Sequence, residues 1–148
     1  MSKWINLYKV EIKEFLDFLP SNFRHEKSFF IQNNLNDFEK LSNLSDSDIN
    51  EIQRKSQLCT LNNLKKIRTI AIFKKEISIS PPEAYLLLHC GIGSIKSLSL
   101  STPYELEGKI GRLERILRVK TETDITFALL KTWINRAKRI CKSNWNLG

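Results

Sequence analysis

The chain is short of the residues that loosen or specialise a fold. Its 148 residues include only 5 Gly and 4 Pro, which argues against long flexible linkers. The longest uninterrupted apolar run, Ala84 to Leu88, is about five residues, against the ~20 that a bilayer span needs, so no membrane partner is expected. The opening stretch MSKWINLYKVEIKEF carries charges inside its apolar pattern and does not read as a secretory signal. Cys59, Cys90 and Cys141 are odd in number and widely spaced, and no C-x-x-C occurs. That spacing fits neither a disulfide framework nor a zinc site, and points to free thiols in a reducing, cytoplasmic compartment.

Groups suited to catalysis are equally sparse. Neither a P-loop nor a dinucleotide fingerprint is present. Of the two histidines, His89 ends an apolar helical run and reads as a packed or capping residue. His25, beside Glu26 on a charged stretch, has no partner at metal-ligand spacing. His89 and Cys90 are helix neighbours that face different directions, so they form no dyad. Glu11, Glu14 and Asp17 read as a solvated face, and Asp46, Asp48 and Glu51 lack the glycine and spacing of a calcium loop. The expectation is a non-enzymatic protein with no cofactor, no metal and no small-molecule substrate.

What the chain does have is helical periodicity and localised positive charge. Hydrophobic residues make up 41% and charged residues 27%, the balance of a globular protein able to bury a core. The net charge of +8 is unevenly placed. Residues 1–60 net −1, 61–78 net +4, 79–108 net −2, and 109–142 net +7. The last segment carries Lys109, Arg112, Arg115, Arg118, Lys120, Lys131, Arg136, Lys138, Arg139 and Lys142 against Glu114, Glu122 and Asp124. Concentrated basicity is the footprint of a polyanion binder, and also of a plain solubilising face.

Apolar residues recur at three- and four-residue steps along most of the chain. Trp4, Tyr8, Ile12, Phe15, Leu16 and Leu19 predict a first helix ended by Pro20. Arg24 to Asn33 predicts a second, with Phe29, Phe30 and Ile31 turned inward. Leu61, Leu64, Ile67, Ile70 and Ala71 predict a long third stripe. Residues 77–80, ISIS, read as an extended connector between two halves. Trp133 falls in a stripe with Phe127, Leu130 and Ile134 and reads as core, whereas Trp145 lies in a polar tail past the last clear helix position.

The two halves look alike. Shifting residues 30–49 forward by 57 positions superimposes Phe30 on Leu87, Leu35 on Ile92, Phe38 on Ile95, Leu41 on Leu98 and Ile49 on Leu106. Asn34 falls on Gly91, and Asn and Gly are the residues that best tolerate positive φ. Ser45-x-x-Asp48 falls on Thr102-x-x-Glu105, each a helix-start signal, and Ser80-Pro81-Pro82-Glu83 is a third. Beyond position 49 a gap is needed, after which Leu64 and Ile67 pair with Ile125 and Ala128.

The stretch Leu86 to Leu106, LLLHCGIGSIKSLSLSTPYEL, has the layout helix, glycine hairpin, helix. From Pro82 to Leu106 the pattern A-x-L-L-x-x-x-G-I-x-S-x-x-x-L followed by T-P-x-E-L resembles the helix-hairpin-helix superfamily. With the run from Asn63 to Ala71, the resemblance extends over roughly residues 23–140 to an uncharacterised bacterial family of DUF4332-like domains. It implies an all-α, SAM/HhH-like fold of two degenerate repeats with an extra N-terminal helix. The expected divisions are 1–20 for that helix, 21–78 and 79–142 for the repeats, and 143–148 for a tail. The superfamily implies contact with a nucleic-acid backbone at Gly91, Gly93, Ser94 and Lys96. The first turn, Asn33-Asn34-Leu35-Asn36, has no glycine and reads as structural only.

Gly91 and Gly93 allow close approach to the backbone, and N–H groups at the start of a short helix suit phosphate, although Gly91 alone is also an ordinary helix terminator. With the basic helices, the expected site is Gly91, Gly93, Ser94, Lys96, Arg112, Arg115, Arg118, Lys120, Arg136 and Arg139. The expected partner is nucleic acid, DNA ahead of RNA, bound with little sequence specificity. The alternative is an interaction or scaffold module whose basic face meets an acidic protein.

Overall fold

A computed structural model describes residues 19–35, 37–117 and 125–147. The expected first helix over residues 4–19 therefore lies almost wholly outside the described residues, as do Asn36, Arg118 and Lys120. The protein is all-α, and no strand occurs among the described residues. It divides into two compact units, Met1–Lys75 and Glu76–Gly148.

In the first unit a 3₁₀ turn, Ser21–Phe23, leads into α1 (Arg24–Gln32), followed by α2 (Phe38–Ser42), α3 (Asp46–Lys55) and α4 (Leu61–Ile72). Each start after α1 is marked by a side chain that satisfies an otherwise orphan N–H. The Glu39 N–H donates to Asp37 Oδ1 at 2.8 Å, and the Asn63 N–H to Thr60 Oγ1 at 3.1 Å. At α3 the bonding is reciprocal: the Asp48 N–H donates to Ser45 Oγ and the Ser45 N–H to Asp48 Oδ2, both at 3.0 Å. Phe23, Phe30, Leu41, Ile49, Leu64, Ile67 and Ile70 are buried.

Two expectations need correction here. Of Phe29, Phe30 and Ile31, only Phe30 is buried, while Ile31 is 51% exposed, because consecutive helix positions diverge by about 100°. The ISIS segment is extended only in part. Ile77 closes a π-helical turn (Phe73–Ile77), Ser78 takes φ +65°, and Ile77 and Ile79 are fully buried.

The second unit contains α5 (Pro81–His89), α6 (Ile95–Ser99), α7 (Pro103–Leu117) and α8 (Phe127–Leu147). The short α6 packs chiefly against α8, and α7 packs against both α8 and α5. The core holds Leu86, Leu87, Leu98, Leu106, Ile110, Leu130, Trp133, Ile134 and Ala137. Helix α8 runs on to Leu147, so the segment expected as a tail is helical. The Trp145 side chain lies outside the described residues. Cys59, Cys90 and Cys141 are all free thiols, with Cys59 buried.

The 57-residue recurrence holds at the level of single hydrogen bonds. Gln32 and His89 end α1 and α5, α2 and α6 each span five residues from Phe38 and Ile95, and α3 and α7 begin at Asp46 and Pro103. The Leu35 N–H reaches back to Phe30 O at 2.9 Å, and the Ile92 N–H to Leu87 O at 3.0 Å. Between them, Asn34 takes φ +54° and Gly91 φ +87°. Leu41 and Leu98 bond to Asp37 O and Ser94 O, and Ile49 and Leu106 to Ser45 O and Thr102 O. Packing agrees, since α2 sits on α4 as α6 sits on α8.

The pairing expected beyond position 49 is corrected. Thr60 and Thr126 cap α4 and α8, so Leu64 and Ile67 correspond to Leu130 and Trp133 rather than to Ile125 and Ala128. More residues separate α7 from α8 than α3 from α4, and apolar spacing alone could not fix the size of the gap.

Candidate nucleic-acid interface

The turn after α5 is built as its residue types dictate. Gly91 takes the left-handed conformation that closes the helix, and its N–H bonds to Leu88 O at 3.0 Å. Gly93 is not in that region, and a Cβ there would meet no atom within 4 Å. Both glycines are exposed. Ser94 is the N-cap of α6: its Oγ accepts the Ser97 N–H at 3.0 Å, and its own N–H donates to Ser97 Oγ at 3.1 Å. The Ser94 hydroxyl is thus engaged in the turn itself. Helix α6 has only five residues, so its dipole is small. Lys96 is exposed on it.

Helix α7 brings charge to this turn. A cleft of about 310 Å³ is lined by His89, Cys90, Lys109, Arg112, Leu113 and Ile116. Burial pushes the Cys90 thiol up from its ordinary range, and the nearby Lys109 ammonium opposes that rise. His89 is exposed, edge-on to Tyr85 with ring centres 4.5 Å apart.

The equivalent cleft in the first unit, about 440 Å³, has Asn33, Ile52 and Lys55 where the second has Cys90, Lys109 and Arg112. Asp48 and Glu51 also line it. One geometry therefore sets Asp48 and Glu51 beside Lys55 in the first unit, and Lys109 and Arg112 without an acid in the second.

The remaining expected residues differ in what they contact. Arg115 and Arg139 are exposed. Arg136 donates from Nη1 to Ile77 O at 2.8 Å, which commits part of its guanidinium to holding the chain entering the unit. Helix α8 itself has no acidic residue and buries Leu130, Trp133, Ile134 and Ala137 on one side. Lys131, Lys138, Arg139 and Lys142 are exposed on the other. Lys131, Lys138 and Lys142 follow one another at seven- and four-residue steps, which keeps them within about 40° of a single line along the helix. Among the described residues none of these four cations is ion-paired. In the first unit Arg68 meets Asp46 at 2.9 Å and donates to Leu44 O at 3.0 Å, and Lys75 lies 3.7 Å from Glu39, while Lys65 and Lys66 are not ion-paired among the described residues.

Residues 20–140 match the family described as a domain of unknown function (DUF4332). The chain belongs to that family. No curated protein matches the chain, and no solved structure does. The DUF4332 match thus spans both units and carries no assigned activity. Among the described residues no cluster of three or more His, Cys, Asp or Glu is placed to hold a metal, and no helix is long and apolar enough to cross a membrane.

Lys109, Lys131, Lys138 and Lys142 belong to the basic segment of the sequence but lie outside the site expected from it. The signal was available. An acid-free run from Phe127 with Lys at 131, 138 and 142 repeats on one helical face. Lys109 was not legible in that way, because its neighbour Cys90 caps the end of another helix, α5.

Proposed function

We propose that the protein is a non-enzymatic nucleic-acid-binding protein that holds the phosphate backbone with little sequence preference. The observation that carries this reading is α8, whose exposed cations Lys131, Lys138, Arg139 and Lys142 have neither an acidic residue on their helix nor an ion-pair partner among the described residues. Unpaired charges on a rigid helix suit a polyanion, because binding releases the counterions that phosphates otherwise hold. Lys109 and Arg112, beside the Gly91 turn, supply a second basic point on the same unit. The 57-residue recurrence supports reading the two units as degenerate helix-hairpin-helix repeats, the first structural and the second functional. Contacts of this kind position a strand and carry no sequence information.

The second reading, docking of an acidic protein, is favoured by the exposed Leu100 and Ile116, which are 76% and 73% accessible. Fluorescence anisotropy with a labelled oligonucleotide between ~50 and ~200 mM salt separates the two. Nucleic-acid binding predicts affinity that falls steeply with salt and barely responds to base sequence. Replacing Lys131, Lys138 and Lys142 together by Ala should weaken binding and reduce the salt slope by about 0.7–0.9 per lost contact. Absence of binding to every DNA and RNA at ~50 mM salt refutes the reading and leaves the protein partner.

A further inference from the structure

An aromatic pair sits at the start of the basic face of α8. Phe127 is the first residue of that helix and precedes Lys131 by four positions, so both lie on the same side. Tyr104, the second residue of α7, packs against Phe127 in a tilted pair with ring centres 4.8 Å apart and planes inclined at 57°. Tyr104 is nonetheless 79% exposed, so Phe127 supports the ring without covering it. Phe127, Lys131, Lys138 and Lys142 form a line of about 22 Å at the helical rise of 1.5 Å per residue.

We infer that the nucleic acid this unit selects is single-stranded, with an unpaired base stacked on Tyr104 and the following phosphates laid along Lys131, Lys138 and Lys142. The inference rests on the reading of α8 as a phosphate-binding helix. A cationic track accepts the backbone of a duplex or a single strand alike. A supported, exposed aromatic face gains only from a base whose own face is free, and in a duplex that face is covered by its neighbours in the stack. Every base has a π-face, so the platform selects for strandedness without reading sequence, and it accepts DNA and RNA equally.

The test compares four ligands of equal length: oligo(dT), oligo(U), a duplex and an abasic deoxyribose-phosphate strand. Wild-type protein should bind oligo(dT) and oligo(U) about 5- to 160-fold more tightly than the abasic strand, the range expected for one stacked base. Tyr104→Ala should lose that advantage, keep its affinity for the abasic strand and keep the salt slope, whereas Tyr104→Phe should retain binding. The abasic comparison uses the unaltered protein, so it stands even if Tyr104→Ala disturbs α7. Equal binding of oligo(dT) and the abasic strand, with the lysine variants still weakening both, overturns the platform and leaves the phosphate-binding reading intact. Tighter binding of the duplex than of the single strands has the same consequence. Absence of binding to all four ligands overturns both.

Discussion

Glu26 is the buried charge on which the first unit can be tested. Its side chain is 1% exposed on α1 and reaches the start of α4. One carboxylate oxygen accepts the Thr60 N–H at 3.1 Å, and the other accepts the Asn63 side-chain amide at 3.1 Å. That amide also donates to Asn22 O at 2.9 Å. The carboxylate thus ties α1 to α4 through two bonds and places negative charge at a helix N-terminus. Glu26→Ala removes both bonds. Hydrogen bonds to a charged acceptor contribute about 1.5–3 kcal/mol each, but Thr60 is exposed and water can satisfy its N–H, so the loss should be about 2–3 kcal/mol. Glu26→Gln keeps an acceptor oxygen while presenting its NH₂ to the other donor and losing the charge at α4, so the loss should be about half as large. With an m value of about 1–1.5 kcal/mol/M, Glu26→Ala should lower the urea midpoint of this unit by about 2 M. A midpoint within ~0.3 M of wild type, or identical midpoints for the Ala and Gln variants, would refute the reasoning.

Two further outcomes follow from the turns and caps. Gly91→Ala should destabilise the second unit by about 1–2 kcal/mol, because its φ of +87° crowds a Cβ against the backbone, whereas Gly93→Ala should stay within about 0.5 kcal/mol in a thermal melt. Hydrogen bonds from the Ser45 backbone and hydroxyl hold the Asp48 carboxyl below its ordinary range. Its contribution to stability is therefore complete above the unfolded value of ~3.9 and is lost as pH falls through the lower folded value, so Asp48→Asn should flatten the acid limb of a stability-versus-pH curve.

The recurrence separates what the two units share from what sets them apart. The turn, the cap and the short helix are set by backbone demands, so they persist in both units while the exposed positions diverge. Ile52 and Lys55 stand where the second unit has Lys109 and Arg112, and Asp48 and Glu51 neutralise that stretch of the first unit. Arg68 and Lys75 of the first unit are drawn into contacts with Asp46 and Glu39. Among the described residues Lys131, Lys138 and Lys142 of α8 meet no such partner, and they share one face of an acid-free helix of 21 residues, against the two adjacent lysines, Lys65 and Lys66, on the shorter α4.

What the sequence determined by itself is local. Helix starts at Asp46 and Pro103 were legible because a hydroxyl with an acid three residues on satisfies backbone donors within a single turn. The positive φ at Asn34 and Gly91 was legible because few residue types tolerate it, and the apolar spacing of Phe30, Leu41 and Ile49 repeated in Leu87, Leu98 and Leu106. Only the tertiary structure decided the rest, since those partners are far apart in the chain. Glu26, read as part of a charged stretch, is buried because its acceptors meet donors at Thr60 and Asn63. Arg136, read as a surface cation, is held by Ile77 O, 59 residues away. The α8 register followed the Thr126 cap and the burial of Trp133, which periodicity could not distinguish from a frame five residues earlier. Tyr104 meets Phe127 because α7 and α8 pack together, and a periodic pattern does not state which helix lies beside which. Local hydrogen bonding is written in spacings of three and four residues, whereas packing partners are chosen by shape and solvent exclusion across the whole unit.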